Sequence, residues 1–264
     1  MNGLAHINVE LTSRCNKSCW MCGRRKIEKD YPDLAKWGDM PFEMVETIAK
    51  QVPSGVMVQL HSNGEPLLYP ELKKAIRLFA HCHTGLDTNA KDLATRAYDL
   101  IGNIDTLTIS IIPKDPERQD QIVQIERFLE LKGDKKPLVT FRFLGQADDT
   151  VIRYLAVKYS CLSARRVLHS PMGSFNYSKK PVIPEFGVCT EILHKLSIDR
   201  HGSVSPCVRF DPEKKNVLAN INDKKLKAIW QGQPRQWWIG YHKAGRRDKV
   251  KLCKDCHYWG CPIS

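Results

Sequence analysis

Residues 6–22 read His6-Ile-Asn-Val-Glu-Leu-Thr-Ser-Arg-Cys15-Asn-Lys-Ser-Cys19-Trp-Met-Cys22, a short β-rich run that ends on three cysteines spaced four and three residues apart. The run 6–11 predicts a first strand, so the cysteines occupy the loop at its C-terminal end, where α/β barrels build their chemistry. Three thiolates at these spacings can wrap one face of a cubane iron–sulfur cluster and leave one iron without a protein ligand. That open iron can take substrate or cofactor. A zinc ion would need a fourth ligand nearby, and no Cys or His follows through Asp39.

Outward from this loop, β-rich runs alternate with amphipathic stretches. Further strands are expected at 56–61, 83–87, 105–112, 138–144 and 166–169, with helices opening near Pro41, Pro70, Lys91, Asp115 and Thr150. Several of these openings carry Pro or an acid in the first turn, as helix starts prefer. Six βα units are too few for a closed eight-stranded barrel, so the expected fold is α/β, a partial (β/α)6 barrel over 1–173. Residues 174–188 carry two prolines and no helical period and read as a linker. The remainder, 189–264, is expected to be a small α+β domain. It has a hairpin turning at His201-Gly202, a short helix around Leu226 to Trp230, and a cysteine-rich tail.

Composition narrows the function classes. No signal sequence opens the chain and no stretch approaches a membrane-spanning length, so a soluble, cytoplasmic protein is expected. Ten cysteines in a reducing compartment point to metal or cluster ligation rather than structural disulfides. Cys82 and Cys161 stand apart from the groups and read as small buried hydrophobes. The net charge is +12, and from Arg200 to Ser264 there are 14 Lys and Arg against 5 Asp and Glu. That asymmetry suggests an anionic partner at the C-terminal part.

The spacing Cys15-x3-Cys19-x2-Cys22 after a first strand resembles the radical S-adenosylmethionine superfamily. The resemblance covers roughly residues 6–170. It implies that Cys15, Cys19 and Cys22 hold a 4Fe-4S cluster whose open iron chelates S-adenosylmethionine, which is cleaved to a 5′-deoxyadenosyl radical by an electron from an external flavodoxin- or ferredoxin-like reductant. Met21 would then pack near the adenine. Asn63-Gly64-Glu65-Pro66, ending the second strand, resembles the family's Gly-Gly-Glu-Pro segment, which binds the cofactor's amino group. Asn89, Ser110 and Arg142 fall at later strand ends that resemble cofactor contacts. Arg142 suits a carboxylate because a guanidinium pairs with it through two parallel hydrogen bonds, and Ala90 stands where the family has a glycine.

Cys189, Gly202-x4-Cys207 and Cys253-x2-Cys256 resemble the auxiliary-cluster region called SPASM, in its shortened, one-cluster twitch form. This implies a second 4Fe-4S cluster on Cys189, Cys207, Cys253 and Cys256, with Cys261 as a spare. A zinc ribbon is the alternative for paired cysteines, with His201 and His257 as further ligands. The run Gly245-Arg-Arg-Asp-Lys-Val-Lys251 beside Trp237, Trp238 and Tyr241 mixes cations with rings able to stack on bases. The alternative is a helix with core aromatics and a solvated basic face.

The chain as a whole is similar to short bacteriophage-type radical enzymes, some of which remodel hypermodified thymine in DNA. Three functions are therefore open. One is a radical isomerase or oxidase acting on a modified base or nucleotide in DNA. Another is a radical maturase or dehydrogenase of a peptide or a small sugar-like alcohol, the peptide version being weakened because no leader-binding extension precedes residue 6. The third is a zinc-bearing nucleic-acid-binding protein without catalysis.

Overall fold

The computed structural model describes residues 1–166, 168, 188–208, 211–254 and 256. Six strands follow one another in parallel: β1 (His6–Val9), β2 (Met57–Gln59), β3 (His83–Thr88), β4 (Thr106–Ile111), β5 (Leu138–Leu144) and β6 (Leu162–Arg166). Their crossovers carry α1 (Arg24–Asp30), α2 (Phe42–Ala49), α3 (Leu72–Leu78), α4 (Ala97–Leu100), α5 (Arg118–Lys132) and α6 (Thr150–Lys158). The sheet runs in the order β6-β5-β4-β3-β2-β1 and continues into β7 (Lys195–Ile198), β8 (Ser203–Ser205) and β9 (Ala219–Asn220). β7 pairs parallel with β1, and β8 and β9 return antiparallel. This is the open, partial barrel that the six βα units implied.

The strands alternate. Ile7, Val9, Val58, Leu60, Leu86, Leu107, Ile109 and Phe141 are fully buried on one face, covered by helices whose apolar stripes meet them. On α5 that stripe is Ile122, Ile125, Phe128 and Leu129, each side chain worth roughly 1.5–3 kcal/mol on burial. The other face carries His6, Asn8, Gln59, Asp87, Thr108, Ser110 and Arg142, and barrel curvature turns it inward. The helix expected near Thr150 is α6, capped by the residue before it. Asp149 accepts from the amides of Val151 (3.0 Å) and Ile152 (3.1 Å), an arrangement typically worth ~1 kcal/mol.

Two expected boundaries move. The sixth strand lies at Leu162–Arg166 rather than 166–169. It is an edge strand exposed along most of its length, so no buried face marks it in the sequence. The helix expected near Lys91 starts at Ala97, because residues 91–96 form successive turns after Ala90 takes a left-handed φ of 62°. The linker at 174–188 falls outside the described residues except for its last position.

The hairpin at His201-Gly202 is as expected. Gly202 has φ +80° and its amide donates to the Asp199 carbonyl at 2.8 Å. Beyond β9 come α7's partners in the C-terminal part: α7 itself spans Thr190–His194, followed by α8 (Leu226–Trp230), α9 (Gln233–Lys243) and α10 (Lys251–Lys254). Trp230 is buried, donates to the Asn2 carbonyl at 3.2 Å and stacks under Arg235 at 3.4 Å. These contacts fasten the C-terminal part to the start of β1. Among the described residues, no helix is long and apolar enough to cross a membrane.

Candidate active site

The Cys15–Cys22 loop is pinned on every side. Asn16 donates to Asp92 (2.6 Å), Lys17 meets Asp115 (2.5 Å), and Arg14 grips Asp39 through two bonds of 2.9 and 2.7 Å. Lys17 and Asp115 are only 4% and 5% exposed, so this pair ties the loop to the end of β4 out of water's reach. Cys15, Cys19 and Cys22 are each half-buried. Burial, reinforced by the neighbouring Cys22 and Cys15 sulfurs, pushes the Cys19 thiol up to about 12. Burial likewise raises Cys15 and Cys22, opposed by amide bonds from Lys17 and Arg24 respectively.

Three neighbouring half-buried thiols, two of them (Cys15 and Cys22) facing backbone amides that favour the anion, suit a cationic metal centre that deprotonates them. Among the described residues, no three His, Cys, Asp or Glu side chains close around a single ion-sized point. Met21 is buried beside the loop, whereas Trp20 is 45% exposed.

The Asn63–Pro66 segment lies directly against the cysteine loop. A Cβ on Gly64 would fall 2.2 Å from the Thr12 carbonyl oxygen and 2.6 Å from that of Arg14, so only glycine fits. The Glu65 amide donates to Arg14 at 2.7 Å. The Asn63 amide donates to Glu10 at 3.1 Å, and the second Glu10 oxygen accepts the Arg200 amide at 3.1 Å. Burial raises Glu10, partly offset by those amides. One carboxylate immediately after β1 thus ties the segment to the hairpin turn between β7 and β8.

Glu65 is buried, and its carboxylate is fully engaged. It accepts from Leu67 N (3.2 Å), Thr88 Oγ1 (2.7 Å) and Asn89 N (2.7 Å). Burial outweighs these donors and lifts it to about 7. The side chain brackets the ends of β2 and β3 instead of presenting open oxygens to a cation. Asn89, held this way, points its amide at Cys15 Sγ (3.8 Å) and Asn16 Oδ1 (2.9 Å). Three of the expected contacts therefore meet here: the cysteine loop, the Asn63–Pro66 segment and Asn89.

Ser110 and Arg142 lie deeper, on the inner face. Arg142 pairs with Asp87 and approaches Thr108 Oγ1 at 3.5 Å, so its guanidinium already has a carboxylate inside the protein. Asp87 also accepts from Gln59 (2.8 Å) and stands 3.3 Å from His61 Nε2. Burial alone would raise Asp87, but His61 and Arg142 hold it below its usual range. Burial lowers His61, against the pull of Asp87, and lowers His6 to about 4 with help from Lys195. His61 Nδ1, His6 Nε2 and Asn8 Oδ1 are buried without a partner. Glu10, His61, Asp87 and Gln121 were missed from the sequence. Gln121 joins the Asn89 and Ser110 carbonyls at 2.8 and 3.0 Å.

The auxiliary cysteines lie along a connected path. Cys189 caps α7, and its amide donates to His242 Nδ1 at 3.4 Å. Arg247, whose charge is felt at His242, donates to the Cys256 carbonyl at 3.3 Å. Cys256 N donates to Cys253 O at 3.1 Å, and Asn216 Nδ2 approaches Cys253 Sγ at 4.0 Å. Asn216 is in turn held by Asp211 at 2.7 Å. Cys207 follows β8 and lines a cleft of about 70 Å³ with Ser62, Asn63, Ser197 and Asp211. The cleft thus opens between Asn63 and Cys207. Cys261 and His257 lie outside the described residues, and His201 sits exposed in the hairpin turn. Cys82 is a buried core residue and Cys161 packs against the core, as expected of small hydrophobes.

Comparison with known proteins finds relatives of the sequence and of the fold. Residues 189–257 match the SPASM iron–sulfur cluster-binding domain. The S-adenosyl-L-methionine-dependent 2-deoxy-scyllo-inosamine dehydrogenase of Niallia circulans is 25% identical over 258 residues, covering 95% of this chain and 92% of the dehydrogenase. A GTP 3′,8-cyclase of Picosynechococcus is 32% identical over 130 residues, 47% of this chain and 39% of the cyclase. The fold is that of BtrN in complex with AdoMet and 2-DOIA (TM-score 0.65, 20% identity, covering 96% and 92% of the two chains). It is likewise that of anSMEcpe with bound AdoMet (TM-score 0.66, 17% identity, covering 96% and 87%). An open parallel sheet with three cysteines in the loop at its first strand end is a layout suited to an iron–sulfur cluster with one open iron. In sequence and fold the chain is similar to S-adenosylmethionine-dependent enzymes, and residues 189–257 match the SPASM iron–sulfur cluster-binding domain.

Proposed function

We propose that this enzyme carries two 4Fe-4S clusters and abstracts a hydrogen atom from a base or nucleotide in DNA, as an isomerase or an oxidase. The observation that carries the DNA reading is the outer side of α9. There Trp237 is 59% exposed and Tyr241 40% exposed, and their i, i+4 spacing puts both rings on one helix face. Neither ring is core, so the alternative of core aromatics under a basic face fails for this pair. Lys243, Lys249, Lys251 and Lys254 are exposed nearby, in the segment with most of the net positive charge. Exposed rings among cations stack bases and neutralise phosphates. The target base would leave its stack to reach the inner face.

Cys15, Cys19 and Cys22 would hold one cluster and Cys189, Cys207, Cys253 and Cys256 the other. When bound, the first cluster with S-adenosylmethionine supplies a carbon radical able to take hydrogen from an unactivated carbon. The chain's own contribution is positioning. Met21, Asn63, Gly64, Glu65, Pro66 and Asn89 shape the cofactor seat, while Ser110 and Arg142 line the space beneath it. An external one-electron reductant is required.

A second reading, oxidation of a hydroxyl on a small sugar-like substrate, is favoured by His61. Its Nε2 faces Asp87 and its lowered pKa leaves the imidazole neutral, so Nδ1 can accept a hydroxyl proton. The near full-length similarity to a dehydrogenase supports the same reading.

One anaerobic experiment with S-adenosylmethionine and reductant separates the two. DNA carrying deuterated thymine-derived bases and carbinol-deuterated cyclic amino alcohols are offered in parallel, and label in 5′-deoxyadenosine is read by mass spectrometry. Label from DNA is expected. Label from the alcohol alone replaces the first reading with the second, and label from neither refutes both.

A further inference from the structure

Four cationic side chains stand in or beside the cysteine loop, and three have a carboxylate within hydrogen-bond reach. Arg14 is on Asp39 at 2.7 Å, Lys17 on Asp115 at 2.5 Å and Arg25 on Glu28 at 2.6 Å. Arg24 has none. It is 4% exposed, and its Nη1 donates only to carbonyls, those of Ser13 and, at 3.4 Å, Asn63. Its guanidinium lies over the Trp37 ring at 3.9 Å, and its Nε has no acceptor. The nearest carboxylate oxygen is Glu28 Oε1 at 4.0 Å, and that oxygen already serves Arg25.

A buried cation whose one carboxylate stands 4.0 Å away and is shared with a second arginine is left with much of its desolvation cost. Such a residue persists when the anion it faces arrives with a ligand. Arg24 opens α1 two residues after Cys22, and its own amide is directed at the Cys22 sulfur. The negative charge available there is that of three thiolates around a cluster.

We propose that Arg24 is the buried counter-ion of the cluster held by Cys15, Cys19 and Cys22, a positioning residue that makes this cluster easier to reduce. The proposal rests on the assignment of that loop as the cluster site. Reduction adds one negative charge, and a fixed cation in a dry environment stabilises the reduced form more than the oxidised one. Because the guanidinium is buried, added salt screens the effect weakly.

The test uses the full chain, reconstituted anaerobically, as wild type, Arg24→Lys and Arg24→Gln. Iron and sulfide are counted first. A redox titration then follows the electron paramagnetic resonance signal of the cluster that responds to S-adenosylmethionine, at low and high salt. Arg24→Gln is expected to move the midpoint to more negative potential, so that at a fixed applied potential near the wild-type midpoint the reduced fraction falls several-fold. Arg24→Lys, which keeps the charge, should recover most of that fraction, and salt should change neither result.

Equal midpoints in all three proteins overturn the proposal, as does a loss of thermal stability shared by both variants with no movement of the midpoint. If Arg24→Gln retains no cluster, Arg24→Lys decides: a midpoint close to wild type supports the counter-ion role, and one displaced strongly to negative potential overturns it. Wild-type protein with no iron in this loop would refute the site assignment itself, a different failure from an unmoved midpoint.

Discussion

Replacing Gly64 by Ala puts one methyl group into the closest backbone approach in the site. The new Cβ would lie 2.2 Å from Thr12 O, 2.6 Å from Arg14 O and 2.8 Å from Thr12 C. All three are backbone atoms, so no side-chain rotation relieves the overlap. The segment must move away from the cysteine loop, at about 1–3 kcal/mol for overpacking. Separation also breaks the 2.7 Å bond from Glu65 N to Arg14 O, for about 1 kcal/mol more.

A total near 3 kcal/mol corresponds to roughly 6–12 °C in melting temperature for a domain of about this size. Denaturant titration of the metal-free chain measures the stability, and calorimetry on reconstituted protein measures S-adenosylmethionine affinity, which should fall at least about tenfold. Gly240→Ala is the control. Gly240 lies inside α9 with nothing within 4 Å of its would-be Cβ, so the same substitution there should stabilise by about 0.5–1 kcal/mol. If Gly64→Ala stays within about 0.5 kcal/mol of wild type and binds the cofactor normally, the close approach plays no part in forming the site.

Ala90→Gly should be close to neutral, because relief of a left-handed φ of 62°, worth ~1–2 kcal/mol, offsets the lost methyl burial and added chain entropy. Ala75→Gly, equally buried but inside α3, should cost about 2 kcal/mol, and equal losses at both positions would contradict the strain. His6 supplies a pH test. Its folded pKa of about 4 lies below its unfolded value of 6.5, so the stability linked to it is present above pH 6.5 and disappears as pH falls towards 4. Allowing for partial exposure, wild type should lose up to ~2 kcal/mol more than His6→Gln between pH 7 and 4.5, and parallel pH curves would refute this. Trp237→Ala with Tyr241→Ala should weaken single-stranded DNA binding about tenfold or more, at roughly 1–3 kcal/mol per stacked base, with little change in the salt slope. No change in affinity would remove α9 from the DNA surface.

The fold was legible because Ile7, Val58, Leu86, Leu107 and Phe141 recur at the period of strands buried on one side, and the cysteine loop ends the first of them. The sixth strand was misplaced because Leu162–Arg166 is an exposed edge with no apolar face to give it away. The inner site was harder to read. His6, Asn8 and Glu10, then Gln59 and His61, alternate with apolar residues, which marks a strand with a polar inward face. Which of these side chains meet depends on parallel register across strands distant in sequence. The pairing of Asp87 with Arg142 and His61, and of Glu10 with both Asn63 and Arg200, exists only after the sheet assembles. The Asp87 partner of Arg142 therefore could not be read from the sequence, and nothing in the sequence set Arg24 apart.

The central claim is that two separate cysteine sets hold clusters with different roles. Anaerobic reconstitution followed by iron, sulfide and zinc analysis, with a reductive S-adenosylmethionine cleavage assay, tests it directly. Wild type should hold about eight irons per chain and form 5′-deoxyadenosine. The Cys15→Ala, Cys19→Ala, Cys22→Ala variant should keep about four irons and form none. Zinc in place of iron, or continued cleavage by the triple variant, would contradict the account.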